Sequence, residues 1–324
     1  MSNDAWGTLS DQAITAAGVV YFVALLLHLA EWASLRAPAV ANSASADSEQ
    51  GGVAVVTGGP PPESTRRVEF LGRLGLLSTV IAGGIHLLGL VGRGMAADPN
   101  RVPWGNMYEF TISGTFVVTL FYLVLHRRFR IGWMAPIVVA FVLAALMVAM
   151  IWLHDDVAPL TEALNSPWLV IHVVSAIIAT GAFTLGGIVS AMYLVKLRRG
   201  DAATGPLARV PSLDSLDRLS YRIHAFGFPV WTFAVLITGP IWAHEAWSSY
   251  WNWDPKEVWA FITWVVYAGY LHARATAGWK GRNAALLALL GLATLWFNFI
   301  GINYFSSSSQ HSYAAPAVVE VAPR

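Results

Sequence analysis

Six of the chain's fifteen tryptophans, Trp242, Trp247, Trp251, Trp253, Trp259 and Trp264, fall within twenty-three residues, with Tyr250 among them. An indole offers a broad apolar face and one N–H donor, which suits it to a membrane–water boundary and equally to stacking on a flat aromatic ligand. The stretch Asp254-Pro255-Lys256-Glu257 has the signals of a helix start: an Asp cap, Pro at the first helical position and Glu at the third. The aromatic segment is therefore expected to be a loop anchored to a helix that runs through Val258 to His272. Two histidines on other segments, His172 and His311, bring imidazole nitrogens, which ligate iron. Placed on either side of an aromatic platform, such a pair has the chemistry to hold a haem iron axially, with the porphyrin against the indoles. Taken singly, each histidine could equally serve as an interfacial hydrogen-bonding group.

The elements that must position these residues are membrane helices. The chain is 56% hydrophobic and 12% charged, where soluble domains carry roughly 25% charged residues, and its mean hydropathy is +0.55. A net charge of +1 without a basic stripe excludes a nucleic-acid partner. With no cysteine, the chain has no disulfide, thiolate catalyst or iron–sulfur cluster, and it cannot tether a haem vinyl group itself. Apolar runs near 13–35, 70–90, 108–125, 133–153, 168–195, 224–243, 258–275 and 284–304 predict an all-α polytopic membrane protein of about eight transmembrane helices. The Ala/Ser/Gly/Pro-rich stretch 36–69 is expected to be a disordered cytoplasmic loop, and the first twelve residues lack the basic start of a signal peptide. Arg and Lys gather in alternate loops, around Arg66, Arg127, Lys196 and Arg274. By the positive-inside rule both termini and the Trp-rich loop lie outside, which requires an even number of spans.

This topology sorts the histidines by depth. His172, at the outer end of the fifth span, and His311, in the external tail 305–324, share the side of the Trp-rich loop. His272 lies fourteen residues beyond Val258, roughly 21 Å deeper at 1.5 Å per residue, where an ionisable group is a functional candidate; helix capping beside Arg274 is its plain alternative. His86 is expected to serve helix packing beside Gly83 and Gly84, and His28 to form a local polar pair with Glu31. His126 and His224 are expected to meet headgroups at inner helix ends, while His154 and His244 are external.

The run Trp247-Ser248-Ser249-Tyr250-Trp251-Asn252-Trp253-Asp254-Pro255-Lys256-Glu257-Val258-Trp259 resembles the Trp-Gly-x-Tyr-Trp-x-Trp-Asp-Pro-Lys-Glu-x-Trp signature of the WWD haem-handling proteins of cytochrome c assembly. It departs by Ser248 for the usual Gly and by Asn252 for a small residue. The branch it is similar to is the CcsA/ResC type of the System II pathway. Asn106-Met107-Tyr108-Glu109, Trp168 to His172, and Gly301-Ile302-Asn303-Tyr304 with His311-Ser312-Tyr313 agree, although Ser309-Gln310 stands where that family has Gly-Leu. The resemblance covers about residues 70–313.

The resemblance implies a haem-handling helical domain over 70–304, with the WWD segment 242–264 inside it. His172 and His311 would be the external axial ligands of haem iron, and His272 a membrane histidine that receives haem from the inner side. Trp247, Trp251, Trp253, Asp254 and Trp259 would build the binding segment. Haem b would be the transported substrate, presented with a Ccs1/ResB-type membrane subunit to the Cys-x-x-Cys-His segment of apocytochrome c, with a thioredoxin-like thiol reductant as a further partner. The chain would then be one subunit of a cytochrome c synthase, or haem lyase, in a bacterial plasma membrane rather than a thylakoid. Alternatives are a haem exporter or chaperone of another WWD branch and a bis-histidine membrane cytochrome b. Lys256 and Glu257 could orient the haem propionates or simply hold the loop.

Overall fold

The computed structural model describes residues 1–34, 63–158, 164–200, 205–306 and 309, and among these all regular structure is helical. The helices are α1 (Asn3–Ser34), α2 (Glu63–Ala96), α3 (Met107–Arg128), α4 (Ala135–Val148), α5 (Pro167–Arg199), α6 (Leu213–Thr232), α7 (Gly239–Trp247), α8 (Pro255–Ala275), α9 (Arg282–Trp296) and α10 (Ile302–Phe305). Wider π-helical turns follow α4 (Ala149–Leu153), join α6 to α7 (Phe233–Thr238) and join α9 to α10 (Phe297–Gly301). Counting each joined pair as one element leaves eight long rods, the number expected.

Seven of the eight are long and apolar enough to cross a membrane. The exception is α8, whose 21 residues would span about 31 Å but whose tryptophans, tyrosines and charged ends make it less apolar than the others. Helix α2 begins at Glu63, seven residues before the expected Phe70, so Arg66 and Arg67 sit on a helix rather than in a loop. The rest of the loop expected at 36–69, before Glu63, lies outside the described residues.

Helices α1 and α2 pack against each other along most of their length, and α5 runs through the middle of the bundle against α3, α6 and α9. Without water to squeeze out between helices, close backbone approach supplies the packing, and small residues permit it. Helix α5 shows this through Ala179, Gly181, Ala182, Gly186 and Gly187, all buried. A Cβ on Gly187 would come within 2.5 Å of Leu292 on α9, and one on Gly186 within 2.5 Å of His224 on α6. Between α5, α6, α8 and α9 the core is aromatic, with Phe183 stacked on Tyr267 at 3.8 Å between centroids.

This packing corrects the expected place of His224. The ring is fully buried against Phe183 and Gly186, and its Nδ1 donates to the Ser220 carbonyl at 2.8 Å instead of reaching headgroups. Its neighbour two positions earlier, Arg222, is exposed, because residues two apart on a helix face different ways. His126 likewise bonds within the protein, to the Tyr122 hydroxyl at 3.1 Å. His28 and Glu31 form the expected pair at 3.6 Å, and His86 is buried in helix packing, donating to the Ile112 carbonyl at 2.9 Å.

Candidate functional site

The Trp-rich segment is a tight link between two helices. Helix α7 stops because Ser248 turns left-handed, at φ 58°, and donates its N–H to the His244 carbonyl at 2.9 Å. Six residues on, Asp254 starts α8: its carboxylate accepts from Lys256 N at 2.8 Å, while Glu257 reaches back to the N–H groups of Asn252 (2.9 Å) and Asp254 (3.1 Å). That is the capping arrangement the sequence calls for, with every orphan donor of the first turn near a carboxylate. Trp253 also has a positive φ, 56°. Two non-glycine residues in this conformation within six positions store strain that the two caps must hold, a condition that clusters at functional sites.

Beside this link opens a cavity of about 540 Å³, within the range that takes a bulky organic ligand, reaching from Trp104, Tyr250 and Trp251 at its mouth to Thr184, Trp231 and Leu295 at its floor. Almost all of its wall is apolar or aromatic. All three π turns contribute to it, through Leu153, Val235 and Phe299. A π turn widens a helix and leaves carbonyls to be shared, which is why such turns gather at sites. Here the Ala234 carbonyl accepts from the Gly239 backbone, from the Thr238 hydroxyl at 3.1 Å and from His172 Nδ1 at 2.9 Å.

His172 is therefore held on two sides. Its bond to Ala234 places the ring proton on Nδ1, and Trp242 stacks on it at 5.8 Å with the planes 19° apart. With Nδ1 protonated, the lone pair is on Nε2, the arrangement of a metal-ligating histidine oriented by a backbone carbonyl. Trp247 braces Trp242 edge-on at 4.9 Å. Gly239 makes the arrangement sterically possible, since a Cβ there would sit 3.2 Å from the imidazole.

The mouth is fixed by a buried ion cluster. Glu109, wholly buried at the start of α3, pairs with Arg93 at 3.0 Å and Arg101 at 2.6 Å and accepts from Gly105 N at 2.7 Å. Asn106 caps α3 by accepting from Glu109 N at 2.8 Å. Both bonds fall on residues adjoining Trp104 and Met107, so the cluster sets where those cavity residues stand.

Of the residues singled out in the sequence, His172 and Trp251 line the cavity, together with Lys256 and Glu257. Trp253 is 75% exposed and meets Trp251 edge-on at 6.1 Å, facing away from the cavity. Trp259 packs on Phe297 at 4.2 Å behind the wall. Asp254 is buried in its cap, where it also accepts from the Ser309 hydroxyl at 2.9 Å. His272 is exposed in the last turn of α8, at the opposite end of that helix from the cavity. His311 lies outside the described residues, two positions after Ser309. The sequence reading missed Trp104, Gly239 and the π turns. Trp104 precedes the Asn-capped start of α3 and was open to discovery; a π turn leaves no periodic trace.

Residues 104–309 match the family model described as cytochrome C assembly protein. A cytochrome c biogenesis protein CcsA from Trieres chinensis is 32% identical over 275 residues, covering 75% of this chain and 87% of the relative. One from Synechococcus sp. (strain JA-3-3Ab) is 32% identical over 307 residues, covering 76% and 87%. Among solved structures, the cytochrome c heme lyase CcmF is 15% identical with a TM-score of 0.56, over 93% of this chain and 49% of that one, a likeness of fold alone. The match over 104–309 takes in the whole cavity-bearing half with its Trp-rich link, and it establishes a multi-pass membrane protein of the cytochrome c assembly family, to which this chain belongs.

Proposed function

We propose that the aromatic cavity receives haem b as a substrate and presents it for attachment to apocytochrome c. The observation that carries this is the mounting of His172: a ring clamped by a backbone carbonyl and an indole in the wall of a largely apolar cavity. An apolar chamber suits a porphyrin face, and one oriented imidazole suits its iron. Ser309 ties the start of the tail to the cap of α8, which supports His311 as the second axial ligand. Trp251 supplies the flat surface, with Lys256 near enough to the mouth to meet a propionate. Thioether formation needs reduced cysteine thiols from the apocytochrome and ferrous iron; this chain contributes position rather than a nucleophile, and positioning can supply roughly 7–11 kcal/mol of barrier reduction for a bimolecular step.

A Ccs1/ResB-type subunit would complete the synthase, and a thioredoxin-like reductant would keep the acceptor thiols reduced. The Trp-rich link and both termini would face outward in a bacterial plasma membrane, with α8 as the eighth span. His272 at its far end would then stand where haem enters, joined to the outer site by one rigid helix. The test is expression of apocytochrome c with this chain, with the Ccs1/ResB-type subunit, with both and with neither, followed by haem staining of the cytochrome. Covalent haem is expected only when both membrane subunits are present; equal maturation without this chain would refute the reading.

A further inference from the structure

At the cation-rich end of the bundle, opposite the aromatic cavity, a second recess of about 550 Å³ opens between α1, α2, the α3–α4 turn and the turn Gly205–Arg209. Four arginines, Arg73, Arg127, Arg130 and Arg209, face it with two glutamates, Glu31 and Glu69. Both carboxylates are taken. Glu69 pairs with Arg73 at 3.4 Å, and Glu31 is bonded by Arg209. Arg127 and Arg130 have no ion pair or hydrogen bond to any described residue, so the recess keeps two uncompensated guanidinium groups. His28 adds a third polar group: it is 2% exposed, its Nε2 meets Thr79 at 3.3 Å, and its Nδ1 faces Glu31 at 3.6 Å.

The recess is built into the backbone. A Cβ on Gly72 would fall 2.6 Å from Glu31, one on Gly75 2.7 Å from His28, and one on Gly132 3.2 Å from His126. Glu31, His28 and His126 thus occupy room that these glycines leave. Arg130 reaches its place from a left-handed backbone, φ 51°.

We propose that this recess binds the phosphate of an anionic phospholipid. Guanidinium groups match phosphate oxygens in geometry and charge, and basic pockets between helices on the cytoplasmic side recognise acidic headgroups. Acyl chains have a path alongside, because Leu29, Phe70 and Leu77, each adjoining a residue of the wall, are exposed. A porphyrin fits less well than a phosphate, since four guanidinium groups line the recess and Tyr122 and Trp133 are its two large aromatic side chains among the described residues. The headgroup would join α1 and α2 to the α5–α6 connection through Arg209, fixing the helix pair that precedes the family-matched region. This site does not depend on the haem proposal.

The test uses the full chain purified in neutral detergent, with phosphatidylglycerol, phosphatidylcholine or inorganic phosphate added, read by thermal unfolding and by native mass spectrometry. Phosphatidylglycerol is expected to raise the unfolding temperature by several degrees and to remain bound, while phosphatidylcholine does neither. The double variant Arg127→Gln/Arg130→Gln should fold, lose that shift and retain about tenfold less phosphatidylglycerol. Equal effects of the two lipids, or full retention by the double variant, would overturn the assignment. A full shift with inorganic phosphate alone would overturn the lipid as the source. A double variant that lost outer-cavity haem but kept its lipid would overturn it as well.

Discussion

The two cavities have nearly the same volume, about 540 and 550 Å³, and opposite chemistry. At the Trp-rich end the wall is mostly apolar, its one imidazole among the described residues is clamped, and its charges are Lys256 and Glu257 at the start of α8, with the buried Arg93–Glu109–Arg101 cluster beside the mouth. At the other end arginines, histidines and two glutamates form the wall itself, and glycines make room for Glu31, His28 and His126. On the two proposals, one end takes a flat hydrophobic solute and the other an anion. At the first end the buried charges hold the mouth; at the second the charged side chains line the recess itself.

Glu109→Gln should break this contrast most severely. It leaves two buried guanidinium groups without a counter-charge, a loss on the order of 3–5 kcal/mol for a buried pair with one partner removed. Thermal unfolding should fall sharply, whereas Arg127→Gln/Arg130→Gln, which removes charge from the other end, should leave the outer haem site intact. Unchanged stability of Glu109→Gln would show that the mouth is not held by its ions.

Gly239→Val should act next, on function rather than folding. Its side chain would push the His172 ring from its clamp, and a displacement approaching 1 Å can cost on the order of a hundredfold in rate, so cytochrome c maturation should drop at least tenfold in a variant that still inserts. Normal maturation would mean that the clamp is dispensable.

The pair Trp251→Ala and Trp253→Ala sharpens the comparison within the aromatic segment. Trp251 lines the cavity, and stacking is worth about 0.5–1.5 kcal/mol beyond buried area, so its loss should lower haem occupancy several-fold. Trp253, 75% exposed, should matter less to occupancy and more to docking of a partner. Equal haem loss in both would restore the reading in which both indoles carry the porphyrin. The smallest effect is expected for Ser248→Gly. The left-handed conformation costs a non-glycine residue about 1–2 kcal/mol, so glycine should raise the unfolding temperature slightly without altering haem content.

Much of this was legible beforehand because it rests on local rules. The helical rods follow from apolar run length, the start of α8 from Asp254, Pro255 and Glu257, and the His28–Glu31 pair from three-residue spacing. Ser248 stands where the WWD signature that the segment resembles has Gly, and its positive φ is a conformation that glycine adopts freely. The cavity was not legible. It depends on π turns, which shift helix register by one residue with no change of composition, and on which indole of a dense cluster faces inward. His224 was misplaced because neighbouring arginines suggested a headgroup zone, whereas Gly186, on another helix, admits the ring to the core.

The most direct test of the central claim is the visible spectrum of the purified chain, co-expressed with the Ccs1/ResB-type subunit, in wild-type and His172→Ala forms with imidazole titrated in. The account predicts that wild type shows low-spin bis-imidazole haem, that the variant loses this signature and most cytochrome c maturation, and that imidazole restores both in part by filling the vacated coordination position. A His172→Ala protein with the wild-type spectrum and normal maturation in the absence of imidazole would contradict it.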